Sequence, residues 1–197
     1  MNARNFDKLM TEEIGRLGEK KRLLLHCCCA PCSSACLERL KEHFEITALF
    51  YNPNIEDEEY LRRKEELIRF IRETGWADIM EYEHDAKEFY RAVKGFENEK
   101  EGGKRCAVCF KLRLEKTVSL ADEGGFDYFS TTLTISPLKN SGLINSIGEE
   151  LAKSSRAKWL YSDFKKRNGY LKSLALGKEY GLYRQNYCGC VYSRENT

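Results

Sequence analysis

An α/β fold, with a parallel sheet covered by helices on both faces in the Rossmann-like manner, is the architecture this sequence predicts. Two observations predict it. Short apolar runs of strand length alternate along the chain with amphipathic stretches of helical period. The segments Cys27–Cys32, Asn52–Asn54 and Thr131–Asn140 fall just after predicted strands, where open parallel sheets bind their ligands.

The elements follow in order. Residues 5–17 mix charge with an amphipathic pattern and predict a helix ahead of the sheet. Arg22–Cys27 (RLLLHC) is a short apolar run, predicting a buried strand. Pro31 turns the chain, and Ser33-Ser34 predict the opening of a helix reaching about Glu42. Glu45–Tyr51 predicts a second strand, closed by the turn residues Asn52-Pro53-Asn54. A charged helix is expected over about 57–74, with Leu61, Leu67, Ile68 and Ile71 near helical spacing. Ala77–Tyr82 predicts a third strand and Asp85–Val93 a helix. Lys94–Arg105 reads as an exposed loop that delivers Cys106-Ala107-Val108-Cys109 to a helix start. Phe126–Thr131 is the fourth strand, followed by a polar loop over Thr132–Asn140 and a helix over about 141–155. Lys158–Tyr161 is the fifth strand, and the last helix covers about 165–180.

A chain of 197 residues suits an N-terminal helix (1–20) and one α/β domain (21–197) with its cysteine-bearing C-terminal segment docked on it. There is no apolar run of membrane-spanning length and no secretory signal, so a cytoplasmic location is expected. The net charge of +2 is too small to argue for nucleic acid by itself. Neither a Walker phosphate loop nor a G-x-G-x-x-G fingerprint is present, which leaves nucleotide hydrolysis and dinucleotide binding unsupported.

Nine cysteines are the strongest chemical signal. In a reducing compartment, closely spaced cysteines serve as metal ligands or redox catalysts more often than as staples. They stand in three groups: Cys27-Cys28-Cys29-Ala30-Pro31-Cys32, Cys106-Ala107-Val108-Cys109 and Cys188-Gly189-Cys190. A C-x-x-C pair at a helix start points both thiols one way, and helix-end N–H groups favour thiolates. Cys28, Cys29, Cys106 and Cys109 therefore make a four-thiolate set that suits either tetrahedral zinc or a four-iron cluster. Cys27 and Cys32 are auxiliary candidates, and Cys36 reads as a buried filler. Cys188 and Cys190, separated by one glycine, are either a reducible small-loop pair or unrelated terminal thiols.

His26 closes an apolar strand and reads equally as a core or a catalytic histidine, whereas His43 and His84 lie in charged surroundings and read as surface residues. Lys104, Arg105, Lys111, Arg113 and Lys116 form one basic group, and Lys165, Lys166, Arg167 and Lys172 another. Both read first as solvated helix faces. Beside Tyr170, Tyr183, Tyr187 and Tyr192 they also offer a surface for a phosphate backbone and stacked bases.

Taken in order, HCCCAPC (26–32), YNPNIEDEEYLRRKEE (51–66), RCAVCFKLRLEKT (105–117), FDYFSTTLTISPLKN (126–140) and YRQNYCGCVYS (183–193) strongly resemble the cobalamin-independent epoxyqueuosine reductases. The resemblance runs from about residue 21 to 193. It implies the Rossmann-like fold of the nucleotide α-hydrolase group, with the cysteine run where ATP-using members carry an SGG-x-DS loop. It further implies reduction of epoxyqueuosine at the tRNA wobble position. A [4Fe-4S] cluster held by Cys28, Cys29, Cys106 and Cys109 would serve that reaction, with a further iron nearby left open. Cys188 and Cys190 would form a redox-active disulfide fed by an external electron donor. Two other readings stand beside it: a zinc-stabilised RNA-binding module, and a thiol–disulfide oxidoreductase using Cys188 and Cys190 alone.

Overall fold

The computed structural model describes residues 4–194. The strands are β1 (Lys21–His26), β2 (Phe44–Phe50), β3 (Asp78–Glu81), β4 (Tyr128–Thr131) and β5 (Lys158–Trp159). They pair in the order β3-β2-β1-β4-β5, and every pairing is parallel. The helices are α1 (Phe6–Gly15), α2 (Ala30–Leu40), α3 (Asp57–Thr74), α4 (Ala86–Ala92), α5 (Lys104–Glu123), α6 (Ser141–Ala152), α7 (Gly169–Glu179) and α8 (Val191–Arg194).

Alternation along β1 shows why the sheet is covered twice. Leu23 and Leu25 point into a core shared with Leu37 and Leu40 of α2, Leu67 and Phe70 of α3, and Leu176 of α7. Leu24 points the other way, into a core with Phe110 and Leu114 of α5 and Ile144 of α6. Side chains of opposite parity serve opposite faces, so both faces of a central parallel strand must be apolar. The fold class expected from the sequence is the one observed. No helix among the described residues is long and apolar enough to cross a membrane.

The strand order places the site. The chain winds outward from β1 through β2 to β3, then crosses back to lay β4 on the other side of β1. The loops after β1 and β4 therefore diverge at a topological switch point, the crevice where such sheets bind ligands.

Three local departures from expectation shape that crevice. The helix expected to open at Ser33-Ser34 instead begins at Ala30, with Cys29 at its N-cap. Ser33 and Ser34 do not cap; their hydroxyls donate back to the Cys29 and Pro31 carbonyls at 2.7 and 2.9 Å. The polar loop after β4 begins as a buried 3-10 turn over Thr132–Ile135. The stretch expected as an exposed loop before Cys106 ends on Arg105, which is only 2% exposed. Its guanidinium donates to the Phe96, Glu97 and Glu99 carbonyls and ties that loop into shape.

Candidate functional site

The site is built where the chain leaves β1. Cys27 continues the ladder, its N–H donating to the Leu49 carbonyl at 2.8 Å, and its buried thiol turns to the Leu25 carbonyl. Asn52 donates to the Cys27 carbonyl at 2.9 Å and fixes the turn from the neighbouring strand. Cys28 is thereby aimed past the strand end, Cys29 caps α2 and Cys32 sits in its first turn. The three sulfurs lie within 4.8 Å of one another. Cys32, set aside as auxiliary in the sequence, is drawn in because an N-cap residue and the third residue after it share one side of a helix mouth.

This group is electrostatically lopsided. Hydrogen bonds from Cys29 and then Cys32 hold Cys28 well below the ordinary thiol range, against the opposing effect of burial. The donors are pushed up in turn, Cys29 first by its bond to Cys28 and Cys32 by its bonds to Cys28 and Cys29. Three sulfurs gathered at the N-terminus of a helix, one of them favoured as thiolate, are a metal-ready arrangement.

His26 lies directly behind it, fully buried. Its Nε2 faces the Tyr51 carbonyl at 3.0 Å and must donate there; its Nδ1 lies 2.8 Å from Thr131 Oγ1. Burial, followed by the nearby Arg113 charge, lowers its pKa to about 4. With both nitrogens engaged by protein, His26 is a neutral scaffold residue, which decides between its two readings. His84 is no surface residue either, since its ring stacks on Tyr60 at 3.7 Å.

A cavity of about 420 Å³ opens in front of the thiols, lined by Cys28, Cys32 and Cys188 among others. Its walls carry Arg63, Arg113, Lys139 and Arg184 against one carboxylate, Glu101. Burial works against charge on Lys139, but the Cys188, Cys28 and Cys32 groups together outweigh it and hold the ammonium above its usual range. Tyr170 and Tyr187 add aromatic surface.

The C-terminal segment reaches this cavity through Arg63, which is 1% exposed. Its Nε pairs with Glu59 at 2.6 Å, its Nη1 donates to the Cys188 carbonyl at 3.0 Å and its Nη2 faces the Tyr187 carbonyl at 3.4 Å. Gly189 adopts φ +106°, and a Cβ there would stand 2.8 Å from Arg63 Nη1 and 2.9 Å from Ile55. Only glycine fits both the angle and the approach. No disulfide joins Cys188 to Cys190, and none of the nine cysteines is in a disulfide.

Cys106 and Cys109 lie outside the sulfur triad, at the start of α5. Cys106 accepts from the Gly102 N–H at 3.2 Å and packs on the same apolar cluster as Cys28. Cys109 is buried with Cys190, Phe89 and Val93. Burial pushes the Cys109 thiol up to about 12. The two other cysteine groups thus meet each other through Cys109 and Cys190.

Arg113, in sequence one member of a solvated basic face, belongs instead to the cavity. It is 1% exposed and lines the cavity. Its signal was its spacing: Cys106, Cys109 and Arg113 stand at i, i+3 and i+7, one face of a helix.

A sequence profile described as epoxyqueuosine reductase QueH matches residues 23–196. The chain belongs to the QueH family. The QueH of Streptococcus pyogenes is 45% identical over 96% of this chain and 78% of its own length. The Staphylococcus epidermidis relative is 41% identical over 96% of this chain and 84% of its own. The Thermotoga maritima QueH, at 36% identity, matches 87% of this chain and 89% of its own. The QueH match thus takes in all three cysteine groups together with the arginines that surround them.

Proposed function

We propose that this protein is an epoxyqueuosine reductase, removing the epoxide oxygen of epoxyqueuosine in tRNA. The observation that carries this reading is a cysteine triad at the switch point, opening into a cationic cavity that Cys188 also lines. About 420 Å³ holds a single nucleoside rather than a stacked helix, so the modified base would enter splayed out of the anticodon loop. A tRNA substrate also fits a cytoplasmic enzyme.

The donor set suits a metal cofactor. Thiolates around one tetrahedral metal at about 2.3 Å stand roughly 4 Å apart, so the spacing of the Cys28, Cys29 and Cys32 sulfurs suits a single metal ion. We assign the cluster to Cys28, Cys29, Cys106 and Cys109, with Cys32 close enough to hold a further iron. When bound, such a centre supplies one-electron transfer and a Lewis acid.

The chain's own residues do the rest. Arg184 and Lys139 draw in the anionic substrate, and Tyr170 and Tyr187 flank the base. Removing an epoxide oxygen to leave an alkene consumes two electrons and two protons and releases water. Oxidation of the Cys188 and Cys190 thiols to a disulfide supplies two electrons and two protons, so the stoichiometry closes. Cys190 holds its proton until then, because burial and then Cys188 raise its pKa. An external donor must afterwards reduce the disulfide.

The test is anaerobic incubation of the iron-reconstituted protein with epoxyqueuosine-containing tRNA and a strong reductant, followed by nucleoside analysis. Queuosine should accumulate. Cys188→Ser should abolish turnover with iron content unchanged, whereas Cys106→Ala and Cys109→Ala should lose iron. A colourless zinc protein that binds the tRNA without converting it sinks the reading, and full turnover by Cys188→Ser sinks the relay.

A further inference from the structure

Arg113 has a part in this cavity that packing leaves unexplained. Its Nε donates to the Cys109 carbonyl at 3.3 Å and its Nη1 to Asn52 Oδ1 at 3.4 Å. Its Nη2 is buried with no hydrogen-bond partner among the described residues, and the Arg113 side chain lines the cavity. A charged donor left unsatisfied in the interior is costly, and native proteins keep few of them. The contrast with Arg63, whose Nε, Nη1 and Nη2 all have acceptors, marks Arg113 as the guanidinium held ready for something else.

Its setting narrows what that is. Cys28, Cys109, Cys188 and Cys190 all act electrostatically on Arg113, so it lies among the three cysteine groups rather than at the rim. Lys139 faces the same cavity from the loop after β4. Both cations line the cavity that Cys28 and Cys188 also line. A guanidinium does not release its proton near neutral pH, so it stabilises negative charge and serves as no acid.

We propose that Arg113 is the oxyanion-binding residue of the reaction, its Nη2 donating to the epoxide oxygen as that oxygen leaves carbon. This rests on the reductase reading above. Breaking the first C–O bond puts electron density on that oxygen. Arg113 holds the developing alkoxide with Lys139 nearby, while the Cys188 and Cys190 thiols supply the two electrons and two protons. The second C–O bond then breaks, the alkene forms, water leaves and the thiols become a disulfide.

The experiment compares wild type with Arg113→Met and Arg113→Lys, reading four quantities. These are single-turnover rate, affinity for anticodon stem–loop RNA carrying epoxyqueuosine or queuosine, salt dependence of that affinity, and iron content with the melting temperature. Arg113→Met is expected to slow the single-turnover step about 100- to 1,000-fold, as loss of one oxyanion donor does elsewhere. Affinity for either RNA should change less than about threefold and iron content should not change, since the contact forms mainly in the transition state. Arg113→Lys keeps the charge without the fork, and an intermediate rate at an unaltered melting temperature supports the inference even if the methionine variant folds poorly.

Equal weakening of both RNAs with a shallower salt dependence identifies a phosphate contact and overturns the inference. Loss of iron at unchanged RNA affinity identifies a contact to the cofactor and overturns it too. An unaltered rate in both variants overturns it while leaving the reductase reading intact, and an inactive wild type overturns the reductase reading itself.

Discussion

His26 illustrates how a single buried residue ties stability to pH. It is 0% exposed, and its two ring nitrogens are engaged by Thr131 and the Tyr51 carbonyl. Burial lowers its pKa from 6.5 to about 4, so between those values the unfolded chain holds a proton the folded chain refuses. Stability contributed by the neutral ring is complete above about pH 6.5 and is lost as pH falls toward 4. The loss should be about 2 kcal/mol by pH 5 and about 3 kcal/mol near pH 4. Urea midpoints of wild type and His26→Gln between pH 7 and 4.5 check this. The wild-type curve should fall more steeply by that amount, and parallel curves would assign the acid sensitivity to other groups.

At the scale of elements, two packing arrangements decide whether the site is assembled. The C-terminal segment is held by Arg63 of α3, whose removal leaves Glu59 without its buried partner and the Tyr187 and Cys188 carbonyls without donors. Arg63→Ala should cost roughly 3 kcal/mol. Hydrogen exchange should speed up across residues 187–193 while the central strands keep their protection. Equal loosening of β1 would show that the segment does not open separately. On the other face, α6 approaches β5 through Gly148, where an added Cβ would meet the Trp159 ring at 2.3 Å. The Trp159 indole N–H is fixed by Asn145 at 3.1 Å and cannot easily yield. Gly148→Ala should therefore lower stability by about 1–3 kcal/mol in urea unfolding, and an unchanged midpoint would contradict this reading.

For the whole molecule, a net charge of +2 conceals a strongly uneven distribution. Arg63 is paired with Glu59, but Arg113, Lys139 and Arg184 still face one carboxylate around the cavity, whereas much of the second basic group is spent on ion pairs. Arg167 pairs with Asp7, Lys165 with Asp163 and Lys172 with Glu38. Field lines focused into a low-dielectric cleft steer a polyanion there even when the overall charge is small. Stem–loop RNA affinity should fall with a log–log salt slope of roughly −2 to −3. Arg184→Ala should flatten that slope by somewhat less than one, whereas Lys166→Ala should leave it unchanged. Equal effects of the two substitutions would place the RNA across a broader face.

The alternation of apolar and amphipathic segments determined the parallel sheet and its two covers, because period and burial are local properties of the chain. Strand ends rich in cysteine and asparagine likewise located the crevice, and the spacing Cys188-Gly189-Cys190 marked a backbone that only glycine allows. What the sequence left undecided depends on contacts between distant residues. Cys32 joined Cys28 and Cys29 because α2 starts at Ala30, with Cys29 extended at its N-cap and Pro31 in its first turn. His26 became scaffold because β4 and the end of β2 brought it partners for both nitrogens. Arg113, outwardly one more cation on a charged helix, became the buried cation at the cavity wall because α5 lies against the sheet with its cysteine face inward. A side chain's identity fixes the charge it carries, but only tertiary packing decides how much water is left to screen it.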